Sequence, residues 1–306
     1  MPFEEPDTML DAKTSSSGHW RALIIGLTLS LSPGAVPAAE RLVSVDGAAT
    51  EIIYALGRES RLVGVDTTST YPPETRSLGS VGYKRRLSAE GLLSLSPDLI
   101  LATEDAGPPE VLNQVRSAGV EVRLIPDAAT PEGLNEKIEA VAEALDAQDS
   151  GQDLIARVGR QLERIARAVG EVERPPRVLF LMVVGSGIDH SAGRGAPVDT
   201  LIRLAGGENV LHASMEDYKP LSPEAALAAA PDVILVSNRA LEDLNGVDGV
   251  LGRAGLAATP AGQARRVIAL DSALLFHFGP RIAQAAEQLA GELGTLDRPG
   301  AVVGRD

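Results

Sequence analysis

Residues 87–102 read LSAEGLLSLSPDLILA, and residues 221–236 read LSPEAALAAAPDVILV. Aligned without gaps, the two stretches share Leu, Ser, Glu, Leu, Pro, Asp, Ile and Leu. Each copy reads alike in physical terms. A serine (Ser88, Ser222) caps a short helix, and an acid (Glu90, Glu224) sits in the first turn, where the helix dipole favours negative charge. Pro97 and Pro231 stop that helix. A continuous apolar run follows, the pattern of a parallel strand buried on both faces.

The repeat extends outward. LVSVDGAATEIIYALGRESRLVGV (42–65) is strand, glycine turn, helix, glycine stop and strand. VLFLMVVGSG (178–187) followed by VDTLIRLAGGENVL (198–211) repeats that order with a longer loop. VRLIP (122–126) and RVIAL (266–270) add short strands, each after a helical segment. Strands alternating with helices imply parallel sheets with right-handed crossovers. Between the halves, Leu154, Ile155, Val158, Leu162, Ile165 and Val169 recur at helical spacing. The expected fold is therefore α/β: two similar lobes with parallel sheets joined by one long helix, with a ligand cleft between the lobes. The expected boundaries are 1–38 for a leader, 39–148 and 175–306 for the lobes, and 149–174 for the linking helix. A helical connection implies small closure motions.

Composition narrows the function. The 306 residues contain no cysteine, which excludes disulfides, thiolate metal sites, a cysteine nucleophile and a lipid anchor on cysteine. The formal charge of -14 makes general binding of nucleic acid or anionic membrane unfavourable. Near the start, ALIIGLTLSL (22–31) follows His19, Trp20 and Arg21 and precedes SPGAVPAAE. That is the pattern of a cleavable secretory signal, too short to span a membrane. Cleavage after Ala38 removes four acids and two bases, leaving the expected mature protein at -12.

Aromatic residues are scarce, at 3%, so each one outside an aliphatic core stands out. In VGYKRRLSAEG (81–91), Tyr83 follows a glycine and precedes Lys84, Arg85 and Arg86. Nearby cations favour a phenolate, a hard anionic oxygen suited to ferric iron. The plain alternative is a surface tyrosine on a solvated basic loop. The matching place in the second half is EDYKPLSPEA (216–225), so the repeat sets Tyr218, with a shift of one residue, opposite Tyr83. His190 lies in the glycine-rich loop GSGIDHSAGRG and is within plausible reach of the cleft. His277, between Phe276 and Phe278, reads as a packed residue. The Gly185 loop lacks a dinucleotide fingerprint, because the third glycine position is His190.

Over about residues 40–295 the chain resembles the substrate-binding proteins of bacterial haem-uptake ABC transporters. These belong to the helical-backbone class of periplasmic binding proteins, which also holds ferric-siderophore and cobalamin binders. The class rests on VSVDGAATEIIYALG, the paired PD[LV]IL strands and the long central helix. The haem branch rests on VGYKRRLSAEG, AGRGAPVDTLIRLAGGENV (192–210) and DYKPLSPEA. The resemblance implies ferric haem as transported ligand, with Tyr83 on the iron. It sets Arg85, with Lys84 and Arg86, beside the propionates, and Tyr218 in the pocket. By order along the chain, Arg239 in VSNRALE matches an arginine that hydrogen-bonds the tyrosine oxygen in some relatives. Some relatives also carry an axial histidine where this chain has Val184, so His190 is the remaining candidate for a sixth ligand. Glu90 and Glu224 match the acids that dock onto a permease in the inner membrane. The resemblance thus implies a non-enzymatic periplasmic carrier, with an outer-membrane haem receptor upstream and no nucleic-acid partner. A siderophore or cobalamin binder is the alternative within the fold, and an α/β enzyme using the Gly185 loop is the alternative outside it.

Overall fold

A computed structural model describes residues 41–183, 188–253 and 255–296. The expected leader (1–38), Val184 and the Gly185 loop lie outside the described residues.

The first half contains β1 (Leu42–Val45), α1 (Gly47–Ala55), β2 (Leu62–Val65), β3 (Gly79–Ser80), α2 (Ala89–Leu93), β4 (Leu99–Thr103), α3 (Pro109–Ser117), β5 (Glu121–Ile125) and α4 (Pro131–Ala144). The helix α5 (Gln148–Val169) then leads into the second half. That half contains β6 (Arg177–Phe180), β7 (His190–Ala192), α6 (Pro197–Leu204), β8 (Glu208–Asn209), β9 (Tyr218–Pro220), α7 (Pro223–Ala229) and β10 (Val233–Ser237). It closes with α8 (Asn238–Asp243), α9 (Val247–Leu251), α10 (Pro260–Gln263), β11 (Val267–Leu270), α11 (Ser272–Phe276) and α12 (Ile282–Leu293).

The two main sheets are parallel throughout. The first runs β3-β2-β1-β4-β5 and the second β11-β10-β6-β8. The sequence repeat falls on equivalent strands, because β4 lies beside β1 as β10 lies beside β6. Every residue of β4 and β10 is buried, as their continuous apolar runs require. Their alternation divides the core. Leu99, Leu101, Val233 and Leu235 face one cluster shared by both lobes, while Ile100 and Ala102, or Ile234 and Val236, face a separate outer cluster in each lobe.

The shared cluster runs through α5. Leu154, Val158, Ile165 and Val169 pack with Leu134, Ile138 and Val141 of α4, and with Ile282, Ala286 and Leu289 of α12. The helix therefore joins the lobes by burying one apolar face against both. It stops at Val169, earlier than the expected 174, because Gly170 turns the chain at φ 58. A third, antiparallel pair, β7 with β9, has no counterpart among the described residues of the first lobe and is invisible to the repeat.

Candidate functional site

The Tyr83 loop follows the carboxyl end of β3, the end of the parallel strands at which open α/β sheets bind ligands. Gly82 adopts φ 86, which lets the chain turn out of the first sheet immediately before Tyr83. Backbone hydrogen bonds then pin both sides of the loop. Thr67 N donates to Gly82 O (2.9 Å), Arg86 N to Tyr83 O (2.8 Å), Gly107 N to Lys84 O (2.8 Å) and Leu87 N to Gly107 O (3.0 Å). On this fixed backbone the Tyr83 side chain stands 43% exposed. It is a presented phenol rather than a core ring.

The basic run beside it is divided. Lys84 turns inward: its side chain is 13% exposed and its Nζ lies 3.0 Å from Asp46 Oδ2, 2.9 Å from Asp105 Oδ1 and 3.8 Å from Asp127 Oδ2. This corrects the expectation that Lys84 meets a propionate, because three carboxylates already compensate its charge. Burial opposes its protonation, but Asp46, Asp127 and Asp105 outweigh burial and raise its pKa above the ordinary lysine value. Asp127 is shared with Lys137, a buried lysine of α4 at 2.6 Å. Asp46 also caps α1, accepting from Ala48 N and Ala49 N. Arg85 reaches Asp105 Oδ2 through Nε (2.9 Å) and Nη2 (2.7 Å). Burial raises the Asp105 carboxyl, but Thr103, Lys84 and Arg85 prevail and hold it at about 2. Arg86 is exposed, and its side chain has no hydrogen bond or ion pair among the described residues.

In the second lobe, β7 and β9 pair His190 with Pro220 and Ala192 with Tyr218. Period-two alternation places His190 and Tyr218 on one face of this ribbon. The sequence repeat aligned Tyr218 with Tyr83, yet their surroundings differ. The Tyr218 ring packs edge-on against Phe180 (6.4 Å between centroids) and tilted against Phe276 (6.3 Å). Its phenol oxygen is buried without a hydrogen-bond partner among the described residues. Burial first, and Asp217 second, push its pKa above the ordinary phenol value, so it stays protonated. His190 is half-buried, with Nδ1 2.9 Å from Ile188 O. A carbonyl only accepts, so Nδ1 is the donor in this contact.

Arg239 does not bridge to Tyr83. Its side chain is 83% exposed and lies 3.6 Å from Asp243, one turn along α8. Glu90 and Glu224 are both exposed in the first turns of α2 and α7, each helix capped by the expected serine. Sequence reasoning missed Asp46, Asp105, Asp127 and Lys137. Asp46 carried a local signal, an aspartate just before Gly47 at a helix start. The other three meet only through tertiary contact.

A family model described as "Periplasmic binding protein" matches residues 42–274. The chain belongs to the periplasmic binding protein family. Among solved structures of this family, the chain is similar to the periplasmic heme-binding protein RhuT from Roseiflexus sp. RS-1. The identity is 46%, the TM-score 0.80, and the match covers 83% of this chain and 98% of that one. It is also similar to the periplasmic heme-binding protein BhuT in complex with two hemes, with 42% identity, TM-score 0.77, and coverage of 83% and 97%. Among curated proteins, the vitamin B12-binding protein of Vibrio cholerae is 30% identical over 82% of this chain and 88% of that one. In this periplasmic binding protein the two strongest candidate features are Tyr83, on its pinned loop after β3, and the His190–Tyr218 face of the β7–β9 ribbon.

Proposed function

We propose that this protein captures ferric haem in the periplasm and delivers it to an inner-membrane ABC importer. The observation that carries this reading is Tyr83, an exposed phenol on a loop pinned by four backbone hydrogen bonds. Tyrosinate is an established haem-iron ligand type. A fixed ligand on a rigid loop suits a carrier that must hold iron without transforming it. Arg85 and Arg86 are the cations placed to meet the propionates, and His190 Nε2 is the second-lobe donor. The similarity to haem-binding relatives at 42% and 46% identity supports haem over cobalamin, whose binder is matched at 30%.

Delivery assigns Glu90 and Glu224 to the permease. Both are exposed, and they occupy equivalent positions in the two lobes. An outer-membrane haem receptor upstream, and export through the 1–38 leader, complete the proposed route. Calorimetric titration of the mature protein with hemin, cyanocobalamin and a ferric siderophore tests the cargo. Saturable binding of hemin alone is expected. Preference for cyanocobalamin would move the protein to the B12 branch of the family.

A further inference from the structure

The two carboxylate oxygens of Asp105 have different partners. Oδ1 faces inward, accepting from Thr103 Oγ1 at 2.7 Å and lying 2.9 Å from Lys84 Nζ. Oδ2 takes both hydrogen bonds from Arg85, at 2.9 and 2.7 Å. The inner pair is firmly held, since Lys84 is 13% exposed and also meets Asp46 and Asp127. The outer pair is loosely held, since the Arg85 side chain is 60% exposed, two residues from Tyr83. An exposed ion pair contributes little to stability, so Arg85 is cheap to release. A guanidinium fork binds any carboxylate with the same geometry.

We propose that Asp105 is a built-in competitor for the cargo's carboxylate: it holds Arg85 in the position a ligand carboxylate would take, and yields it on binding. Asp105 then sets specificity, because only cargo with an ionised carboxylate can replace it. It also limits affinity, because every such cargo must displace it. This rests on the haem reading, in which the competing groups are the propionates.

Asp105→Asn isolates the effect. The amide oxygen can keep the inward bonds to Thr103 and Lys84, whereas the amide nitrogen cannot accept from Arg85. Affinities for hemin and for hemin dimethyl ester, which lacks ionised carboxylates, would be measured on wild type, Asp105→Asn and Arg85→Gln. Asp105→Asn should bind hemin about twofold to fivefold more tightly, the scale of an exposed ion pair, and bind the ester unchanged. Its Tm should fall, so a gain in affinity would accompany a loss in stability. Arg85→Gln should weaken hemin about tenfold and leave the ester unchanged. Unchanged or weaker hemin binding by Asp105→Asn, an equal gain for the ester, or full hemin affinity in Arg85→Gln would each overturn the competitor role while leaving the haem reading in place. Wild-type protein that binds neither porphyrin overturns both.

Discussion

Arg281 and Glu51, 230 positions apart in sequence, form a two-point ion pair that ties one lobe to the other, at 2.9 and 2.6 Å. Glu51 lies on α1 and is 3% exposed; Arg281 precedes α12 and is 17% exposed. Tyr71 stacks on the guanidinium at 3.5 Å, and His277 Nδ1 lies 3.8 Å from Glu51. His277 also packs so closely on Gly47 that a Cβ there would clash with the imidazole. The linking helix is therefore not the sole tie between the lobes. Arg281→Met leaves a buried carboxylate unpaired and should lower stability by about 3–5 kcal/mol in urea unfolding. The double variant Glu51→Gln/Arg281→Met should lose less, because no charge is stranded.

The cluster around Lys84 predicts acid sensitivity. Asp105 is held at about 2, below its ordinary value near 4, so its contribution is present above pH ~4 and is lost as pH falls toward 2. Asp105→Asn should be less stable than wild type at pH 7, and the gap should narrow across that acid window. Thermal unfolding at half-unit pH steps checks the sign; a gap that widens on acidification would contradict it.

Tyr218 predicts the opposite kind of effect. Its phenol oxygen is buried with no hydrogen bond within 3.5 Å among the described residues, so an unpaired hydroxyl would cost stability there. Tyr218→Phe should keep the packing against Phe180 and Phe276 and raise stability of the ligand-free protein by about 1 kcal/mol. A loss of stability would mean that the hydroxyl is satisfied.

Glu90 and Glu224 predict a separation of binding from delivery. Reversing both to lysine should abolish stimulation of the permease ATPase in reconstituted membranes. Haem affinity should stay within about twofold, since both side chains are solvated. Loss of haem binding in this variant would contradict the docking role.

The architecture was legible because it is written locally. The Ser cap, first-turn Glu, Pro stop and apolar run each have a short-range cause, and their recurrence at 221–236 located the second lobe. Tyr83 and Tyr218 stood out in the sequence through scarcity and repetition, whereas the β7–β9 pairing that sets His190 on the face of Tyr218 did not. What the sequence hid is pairing at a distance. Three adjacent cations looked like one basic patch, yet Lys84 turns inward to Asp46, Asp105 and Asp127, which are supplied by the ends of β1, β4 and β5. The same limit applies to Arg239, whose partner Asp243 lies one helical turn away rather than across the cleft. Tyr218 shows how a repeat can mislead: equivalent position did not bring equivalent environment, because the β7–β9 ribbon and three aromatic rings are private to the second lobe.

Ligation of ferric haem by Tyr83 is read from the absorption spectrum of the hemin-loaded protein. Wild type should show a Soret band and the charge-transfer features of tyrosinate-ligated ferric iron. Tyr83→Phe, which removes one exposed oxygen from a pinned loop, should lose those features and weaken hemin binding by at least about a hundredfold, on the scale of a lost metal ligand. A Tyr83→Phe spectrum and affinity identical to wild type would contradict the account.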